Sequence, residues 1–386
     1  MVRIAIRDHV FPAASIAVTK AGKVLARKGF GTFRYAHEQC QDFDFPNTPV
    51  TPATLFDLAS VTKAVATTTM AMLLYERGLL ELDAPIIGTV PEFLIDSTGN
   101  SDPRRHEVTF RMLLAHSSGL PAYEKLFLKA RSREELLAAA LTVPLSADPG
   151  TLAEYSDIGF IILGLAVERL AQEKLEAFCQ REIFGPLAMT NTTFNPAQDL
   201  RTKVPPTADE REALCGADAP VRERRKRDPQ PSASHPKPHS TFRNRIIQGE
   251  VQDENASVLG GVAGHAGLFA TAEDVAKFAH AMLQGGSPIL HPVTFSVFTR
   301  RDTTPGTSRA LGWDTPSRPS QSGKYFGPNS YGHLGYTGTS LWIDPDRQLS
   351  ITFLSNRTWP DCSNQAIKKV RPKFHDAIIE CLDTLV

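Results

Sequence analysis

The sequence predicts an α/β fold of the α+β kind: an antiparallel sheet flanked by helices, built from both chain ends, with a mostly helical domain inserted between them. Three observations predict it. Hairpin-like strand pairs stand near both ends of the chain, and the long segment between them is patterned as helix. The 386 residues suffice for two or three domains, and 41% hydrophobic residues supply a core of that size.

Taken in order, residues 15–18 and 23–26 flank Ala21-Gly22 and form the first hairpin. A helix follows over 60–77: residues 64–74 are good helix formers and Gly78 suits the stop. From about 79 to 200 the pattern is mostly helical, with pieces at 109–115, 133–141, 159–170 and 175–184. Residues 202–241 change character. Pro205-Pro206, the basic run 222–227 and proline-rich 229–238 bury too little apolar surface to offset ordering, so the segment reads as a mobile surface insertion. The basic run reads more readily as a solvated loop than as a contact for an anionic partner. Residues 272–283 return to helix, and 339–343 and 349–354 flank the turn Asp344-Pro345-Asp346. A last helix repeats Ile367, Val370, Phe374, Ile378, Cys381 and Leu382 on one face, with a kink expected at Pro372. The expected domains are 1–78 with 250–386, then 79–201, then the insertion 202–249.

Composition excludes several function classes. Lys+Arg and Asp+Glu are both 42, so net charge points to neither nucleic acid nor an anionic membrane. No apolar stretch approaches a membrane span. The five cysteines are widely spaced and odd in number, as expected of reduced thiols in the cytoplasm. Residues 1–8 lack the apolar core of a secretion signal, which also favours a cytoplasmic place; a leader lost upstream would make it periplasmic. The eleven histidines show no metal-ligand spacing, so neither metal nor cofactor is expected.

The chemistry concentrates at Ser60-Val61-Thr62-Lys63. A serine hydroxyl needs a base at neutral pH, and residues three apart on a helix share a face, so Lys63 can sit beside Ser60. The helix N-terminus favours the anion formed in acyl transfer, and partial burial makes a neutral lysine amine plausible. Alone, the pattern reads more readily as an N-cap serine with a solvated helix lysine. A second copy, Ser234-His235-Pro236-Lys237, lies where Pro236 argues against helix. Tyr155-Ser156-Asp157 stands between a turn and a helix, where a tyrosine can exchange protons with Ser60 and Lys63 or serve as a half-buried loop residue. Gly332-His333-Leu334-Gly335-Tyr336-Thr337-Gly338 opens the penultimate strand. Its backbone can join the N–H of Ser60 in an oxyanion hole, or form a glycine-rich strand edge.

In this order and spacing, Ser60-x-x-Lys63, Tyr155-x-Asp157 and His333-x-Gly335 resemble the penicillin-recognising serine hydrolases. The chain is similar to their class C β-lactamase-like branch, which includes D-alanyl-D-alanine carboxypeptidases and β-lactamase-like carboxylesterases. The resemblance runs from Phe11-Pro12 to the last helix. Residues 113–121, 149–151, 260–269 and 354–357 support it. It implies that Ser60 is acylated, that Lys63 is its base and that Tyr155 relays protons. It implies oxyanion donors at the backbone N–H of Ser60 and Tyr336, and substrate contacts at Asp157, His333, Leu334 and Gly335.

Three departures bear on specificity. Asp157 stands where Asn is usual; ionised, it only accepts hydrogen bonds and can pair with Lys63 and hold it charged. Leu334 replaces a common Thr and removes a hydroxyl. His333 replaces the lysine of many β-lactamases and leaves less fixed positive charge. All three weaken the case for carboxylate-bearing substrates and leave ester hydrolysis intact. His116 is expected in a structural turn and His265 in a hydrogen-bonded turn bordering the cleft, while Trp313 and Trp359 line a pocket or pack in the core. The expected activity is a carboxylesterase acting through an acyl-Ser60 on small or short-acyl esters, with a small-molecule ester or amide as partner and weak β-lactam hydrolysis alongside. The alternatives are a β-lactamase or D-alanyl-D-alanine carboxypeptidase, and more remotely a silent scaffold, whose mark would be loss of Ser60, Lys63 or Tyr155. Oligomeric state is not legible.

Overall fold

In the computed structural model, which describes residues 1–35, 45–211 and 242–384, the two ends of the chain meet in one antiparallel sheet. The strands, in chain order, are β1 (Ala13–Lys20), β2 (Lys23–Gly31), β3 (Phe56–Asp57), β4 (Thr193–Phe194), β5 (Ala208–Asp209), β6 (Ile246–Ile247), β7 (Leu268–Ala270), β8 (Tyr331–Leu334), β9 (Ser340–Asp344) and β10 (Leu349–Ser355). The main sheet runs β2-β1-β10-β9-β8, with Ala14 opposite Ser355 and Lys20 opposite Leu349. β1 and β10 are buried on both faces, which is why they read as near-continuous apolar runs. β2 is the exposed edge.

The helices named below are α1 (Val2–Arg7), α2 (Thr69–Glu76), α3 (Phe110–Leu114), α4 (Arg133–Leu141), α5 (Asp157–Ala171), α6 (Leu175–Cys179), α7 (Gln198–Arg201), α8 (Glu254–Val258), α9 (Ala272–Leu283), α10 (Pro292–Thr299) and α11 (Ile367–Asp383). Alternation along the strands splits the core in two. Ile16, Val18, Trp342, Ile351 and Phe353 pack with Phe374 and Ile379 of α11 and Val2 and Ala5 of α1. Ala13, Ala17, Leu341, Ile343 and Leu354 face the other way, onto Val275, Phe278 and Ala279 of α9. That second cluster continues into the helical middle through Val65, Met72, Leu113, Phe160 and Leu163. Each large apolar side chain so buried contributes roughly 1.5–3 kcal/mol.

A second sheet, β3-β7-β4, positions the site. Phe56 pairs with Ala270 and Asp57 with Phe269, which draws the residues before Ser60 against those after His265.

Several expectations need correction. The expected helix over 60–77 begins after Ser60 and is π-helical over Lys63–Thr68 before it becomes α2. A π segment of this kind is common at functional sites, because the wider turn re-aims side chains. The expected helix over 175–184 is likewise α6 followed by a π segment, Gln180–Phe184. Gly332 to Gly338 does not open β9. Tyr331–Leu334 forms its own edge strand, paired from Tyr331↔Ile343 to Leu334↔Ser340, and the remainder turns into β9. α11 runs through Pro372. Proline cannot donate to the Lys368 carbonyl, and the Gln321 side chain does so instead at 3.0 Å.

The reading of 202–249 as a mobile polar insertion fails at both ends. Ala208–Asp209 and Ile246–Ile247 pair as β5 and β6, and Val204 and Ile247 are fully buried. Arg243 and Glu210 form an ion pair with side chains only 4% and 3% exposed. Asn356 donates to Pro206 O at 2.9 Å and accepts from Ala13 N at 3.1 Å, tying the segment to the main sheet. Pro205-Pro206 here stiffens a buried connection. The basic run 222–227 and the second Ser-x-x-Lys copy lie outside the described residues. Among those residues no helix is long and apolar enough to cross a membrane.

Candidate active site

The chain reaches Ser60 through a backbone held on both sides. Ala59 adopts φ 47°, uncommon for a side chain larger than glycine's hydrogen. Asp57 supports it, accepting from Ala59 N at 2.8 Å and from Gln252 N at 2.7 Å. Burial pushes the Asp57 carboxyl up to about 6 despite these donors. The N–H groups of Val61, Thr62 and Lys63 then bond three residues back, to Leu58, Ala59 and Ser60, in a tight first turn. Ser60 stands at the head of that turn.

Lys63 is fully buried, and its ammonium group meets three acceptors. They are Ser60 Oγ at 3.0 Å, Asp157 Oδ1 at 2.7 Å and the His265 carbonyl at 3.1 Å. An ammonium has three N–H donors, so this set saturates it. Burial alone lowers the Lys63 pKa, but the Asp157 carboxylate and Tyr155 more than offset it and leave it above its ordinary value. Lys63 is therefore a cation at neutral pH, the state expected for a lysine paired with Asp157.

Asp157 is the first residue of α5, where the helix terminus favours a carboxylate. Ser156 caps that helix, accepting from Gly159 N at 3.0 Å. Tyr155, just before the cap, lies with its ring centroid 4.8 Å from Lys63 Nζ. Burial raises its hydroxyl pKa, with Lys63 opposing. The guanidinium of Arg309 sits 4.8 Å from the same ring centroid. His265 reaches Lys63 because α5 lets its loop come close. A Cβ on Gly264 would run into Phe160 O and the Gly164 backbone. The His265 ring bonds Asp253 Oδ1 at 2.9 Å.

The turn from β8 to β9 is fastened to the strand before Ser60. Thr337 and Thr339 hydroxyls donate to the carbonyls of Asp57 and Leu58 at 2.8 and 2.9 Å. Gly335 touches the same strand; a Cβ there would strike Leu58 O and Thr339 Oγ1. Tyr336 follows it, with its carbonyl accepting from Arg357 Nε at 2.7 Å. His333 donates from Nδ1 to Leu334 O at 2.8 Å. Burial, then Lys63 and Arg309, push its pKa down to about 3, so it is neutral. Its Nε2 has no hydrogen-bond partner among the described residues.

These groups line one cavity of about 690 Å³. Ser60, Tyr155, Asp157, His333, Leu334, Gly335 and Tyr336 all border it, and Lys63 lies buried behind Ser60. So do Arg357, which ends the supporting stretch 354–357, and Arg309, Lys368 and Arg371, which no motif of the sequence reading contained. They restore positive charge that His333 and Leu334 do not supply. Asp253 and the His265 carbonyl were also beyond that reading, since a backbone acceptor carries no residue signature. Trp313 and Trp359 are 1% and 2% exposed and pack in the interior.

Comparison with known proteins gives a consistent picture. A family model described as Beta-lactamase matches residues 2–369. The chain is 30% identical over 362 residues to N-acetylmuramyl-L-alanine amidase of Bacillus subtilis (strain 168), spanning 90% of this chain and 77% of that protein. It is 30% identical over 370 residues to the putative D-alanyl-D-alanine carboxypeptidase of Escherichia coli (strain K12), spanning 91% and 79%. Among solved structures, EstCE1, a hydrolase with promiscuous acyltransferase activity, superposes with a TM-score of 0.69 at 21% identity over 96% of each chain.

Proposed function

The chain belongs to the Beta-lactamase family of serine hydrolases, and we propose that it works mainly as a carboxylesterase on small or short-acyl esters, through an acyl-Ser60 intermediate. The observation that carries this reading is Lys63 Nζ bridging Ser60 Oγ at 3.0 Å and Asp157 Oδ1 at 2.7 Å. Ser60 Oγ attacks the carbonyl carbon. Its proton passes to Lys63 as Lys63 passes one of its own to Asp157, so that Lys63 stays an ammonium, Asp157 becomes a neutral acid and the negative charge moves to the oxyanion. The backbone N–H groups of Ser60 and Tyr336 hold the oxyanion. As the intermediate collapses, Tyr155 gives its proton to the departing alkoxide and regains one from Lys63, which recovers the proton held by Asp157; water then releases the acyl group by the reverse path. Leu334 and the neutral His333 give the wall beside Ser60 an uncharged character suited to an acyl chain. Weak β-lactam hydrolysis accompanies the main activity.

A second reading is a D-alanyl-D-alanine carboxypeptidase or β-lactamase. It is favoured by Arg309, Lys368 and Arg371 on the cavity wall, which suit a substrate carboxylate. Side-by-side assay of p-nitrophenyl butyrate and nitrocefin, with wild type and Ser60→Ala, separates the two. Fast Ser60-dependent ester cleavage with slow nitrocefin turnover supports the esterase. The reverse ranking supports the second reading, and turnover that survives in Ser60→Ala sinks both.

A further inference from the structure

His116 lies in a turn remote in sequence from Ser60, Lys63 and Tyr155, yet it grips the tyrosine segment with three different groups. Its carbonyl accepts from Glu154 N at 2.8 Å. Its ring Nδ1 accepts from Ser156 N at 3.0 Å. Its ring lies against Tyr155, centroids 4.5 Å apart, and against Phe160 in the first turn of α5, centroids 4.9 Å apart. One side chain and its own carbonyl thus hold the residue before the tyrosine, the tyrosine itself and the residue after it.

The backbone of His116 shows that this is an imposed arrangement. Its φ is 59°, in the left-handed region that a residue of this size enters at a cost. With only 3% exposure, the ring has no freedom to turn away. Burial drives its pKa well below the ordinary histidine value, with the charges of Arg309 and Lys63 adding to the effect. The ring is neutral, so Nδ1 keeps the lone pair that the Ser156 N–H needs. The same turn continues the seam: Pro121 O accepts from Ser156 Oγ at 2.7 Å and Ala122 O accepts from Asp157 N at 2.9 Å. Every residue from Glu154 to Asp157 is therefore held by the 116–122 segment.

We propose that His116 is a positioning residue for Tyr155, setting the orientation of the phenol toward Ser60 and Lys63 without touching substrate. The proposal rests on the reading of Tyr155 as the proton relay of a Ser60 hydrolase. It assigns to His116 a share of turnover that acts only through the tyrosine.

A double-mutant cycle on the full chain tests this, with p-nitrophenyl butyrate as substrate. His116→Asn keeps an acceptor where Nδ1 stands and tolerates positive φ, but loses the ring. His116→Phe keeps the ring and loses the acceptor. Each is expected to lower kcat by roughly 10–100-fold with KM within about 2-fold, the pattern of a misplaced catalytic group. In a Tyr155→Phe background, His116→Asn should cost less than about 2-fold more, because the group it positions is gone. Equal losses in both backgrounds, or wild-type kcat in both single variants, overturn the proposal. Should His116→Asn not fold, the same cycle with His116→Phe decides. Failure of the underlying reading shows separately, as full activity in Tyr155→Phe or in Ser60→Ala.

Discussion

Replacing Asp157 by Asn changes one atom type and removes one charge beside a lysine whose side chain has 0% exposure. The pair is separated by 2.7 Å, which at an effective dielectric constant near 20 corresponds to about 6 kcal/mol of attraction before desolvation is subtracted. Breaking a buried pair by removing one partner costs about 3–5 kcal/mol, because the other charge is left uncompensated. Asn retains an oxygen for the Lys63 N–H, and one neutral hydrogen bond returns about 1 kcal/mol. We therefore expect Asp157→Asn to lose about 2–4 kcal/mol, read as a fall of roughly 1 M in the urea midpoint. The sign of its pH dependence follows from Lys63. Its folded pKa lies above the ordinary 10.5, so on the alkaline side the pair's contribution is complete up to 10.5 and fades only as pH rises through the folded value. The gap between wild type and variant is thus widest at neutral pH and narrows as pH rises through the lowered Lys63 pKa of the variant, where the unpaired buried amine sheds its charge. Turnover responds differently. Asn cannot take the proton that Lys63 gives up, so at neutral pH kcat should fall by roughly 10²-fold and then climb with pH as free lysine amine appears. Stability, kcat and pH profile that all match wild type would refute the argument, leaving Asp157 no more than a neutral hydrogen-bond acceptor.

Other consequences can be checked as directly. Ser60→Ala should abolish turnover and fluorophosphonate labelling while stability stays within about 1 kcal/mol, since Ser60 Oγ is only one of three Lys63 acceptors. Gly335→Ala drives a methyl group into Leu58 O and Thr339 Oγ1, so it should lower kcat by roughly 10²-fold by displacing the turn that carries Tyr336, as measured by steady-state kinetics on folded protein. Acid should destabilise the protein well before its carboxylates titrate in the unfolded chain. His333 and His375 both fall from 6.5 to about 3 through burial, so the unfolded state alone takes up their protons. Stability is then complete above 6.5, and each loses about 2 kcal/mol between neutral pH and about pH 5. Asp57, raised to about 6, acts in the opposite sense and returns about 1 kcal/mol over the same range. A urea midpoint unchanged between these two pH values would contradict this account.

Much of the site was legible because its chemistry is local. Ser60 and Lys63 are one turn apart, and Tyr155 and Asp157 flank a helix start that Ser156 announces. The strands at both chain ends were legible for a similar reason, since alternation and turn residues mark a hairpin without knowledge of its partners. What escaped depends on distant segments. The third acceptor of Lys63 is a carbonyl, 202 positions away. Arg309 and Arg371 reach the cavity from a loop and from α11, neither of which carries a motif. The ends of the 202–249 segment were misread because proline and charge look alike in a solvated loop and in a buried strut. Partners distant in sequence, such as Asn356 and the Arg243–Glu210 pair, separate the two cases.

The sheet built from both chain ends has a consequence in time. Thr19 and Ser350 share a 2.6 Å hydrogen bond across β1 and β10, 331 positions apart. During synthesis at about 5–20 residues per second, β1 waits on the order of 20–70 s for that neighbour. Until β10 emerges, the hairpin of β1 and β2 offers an open hydrogen-bonding edge beside Ile16 and Val18, which are buried in the finished protein. The early hairpin thus waits with an unpaired edge through most of synthesis, and β10 is the strand that closes it.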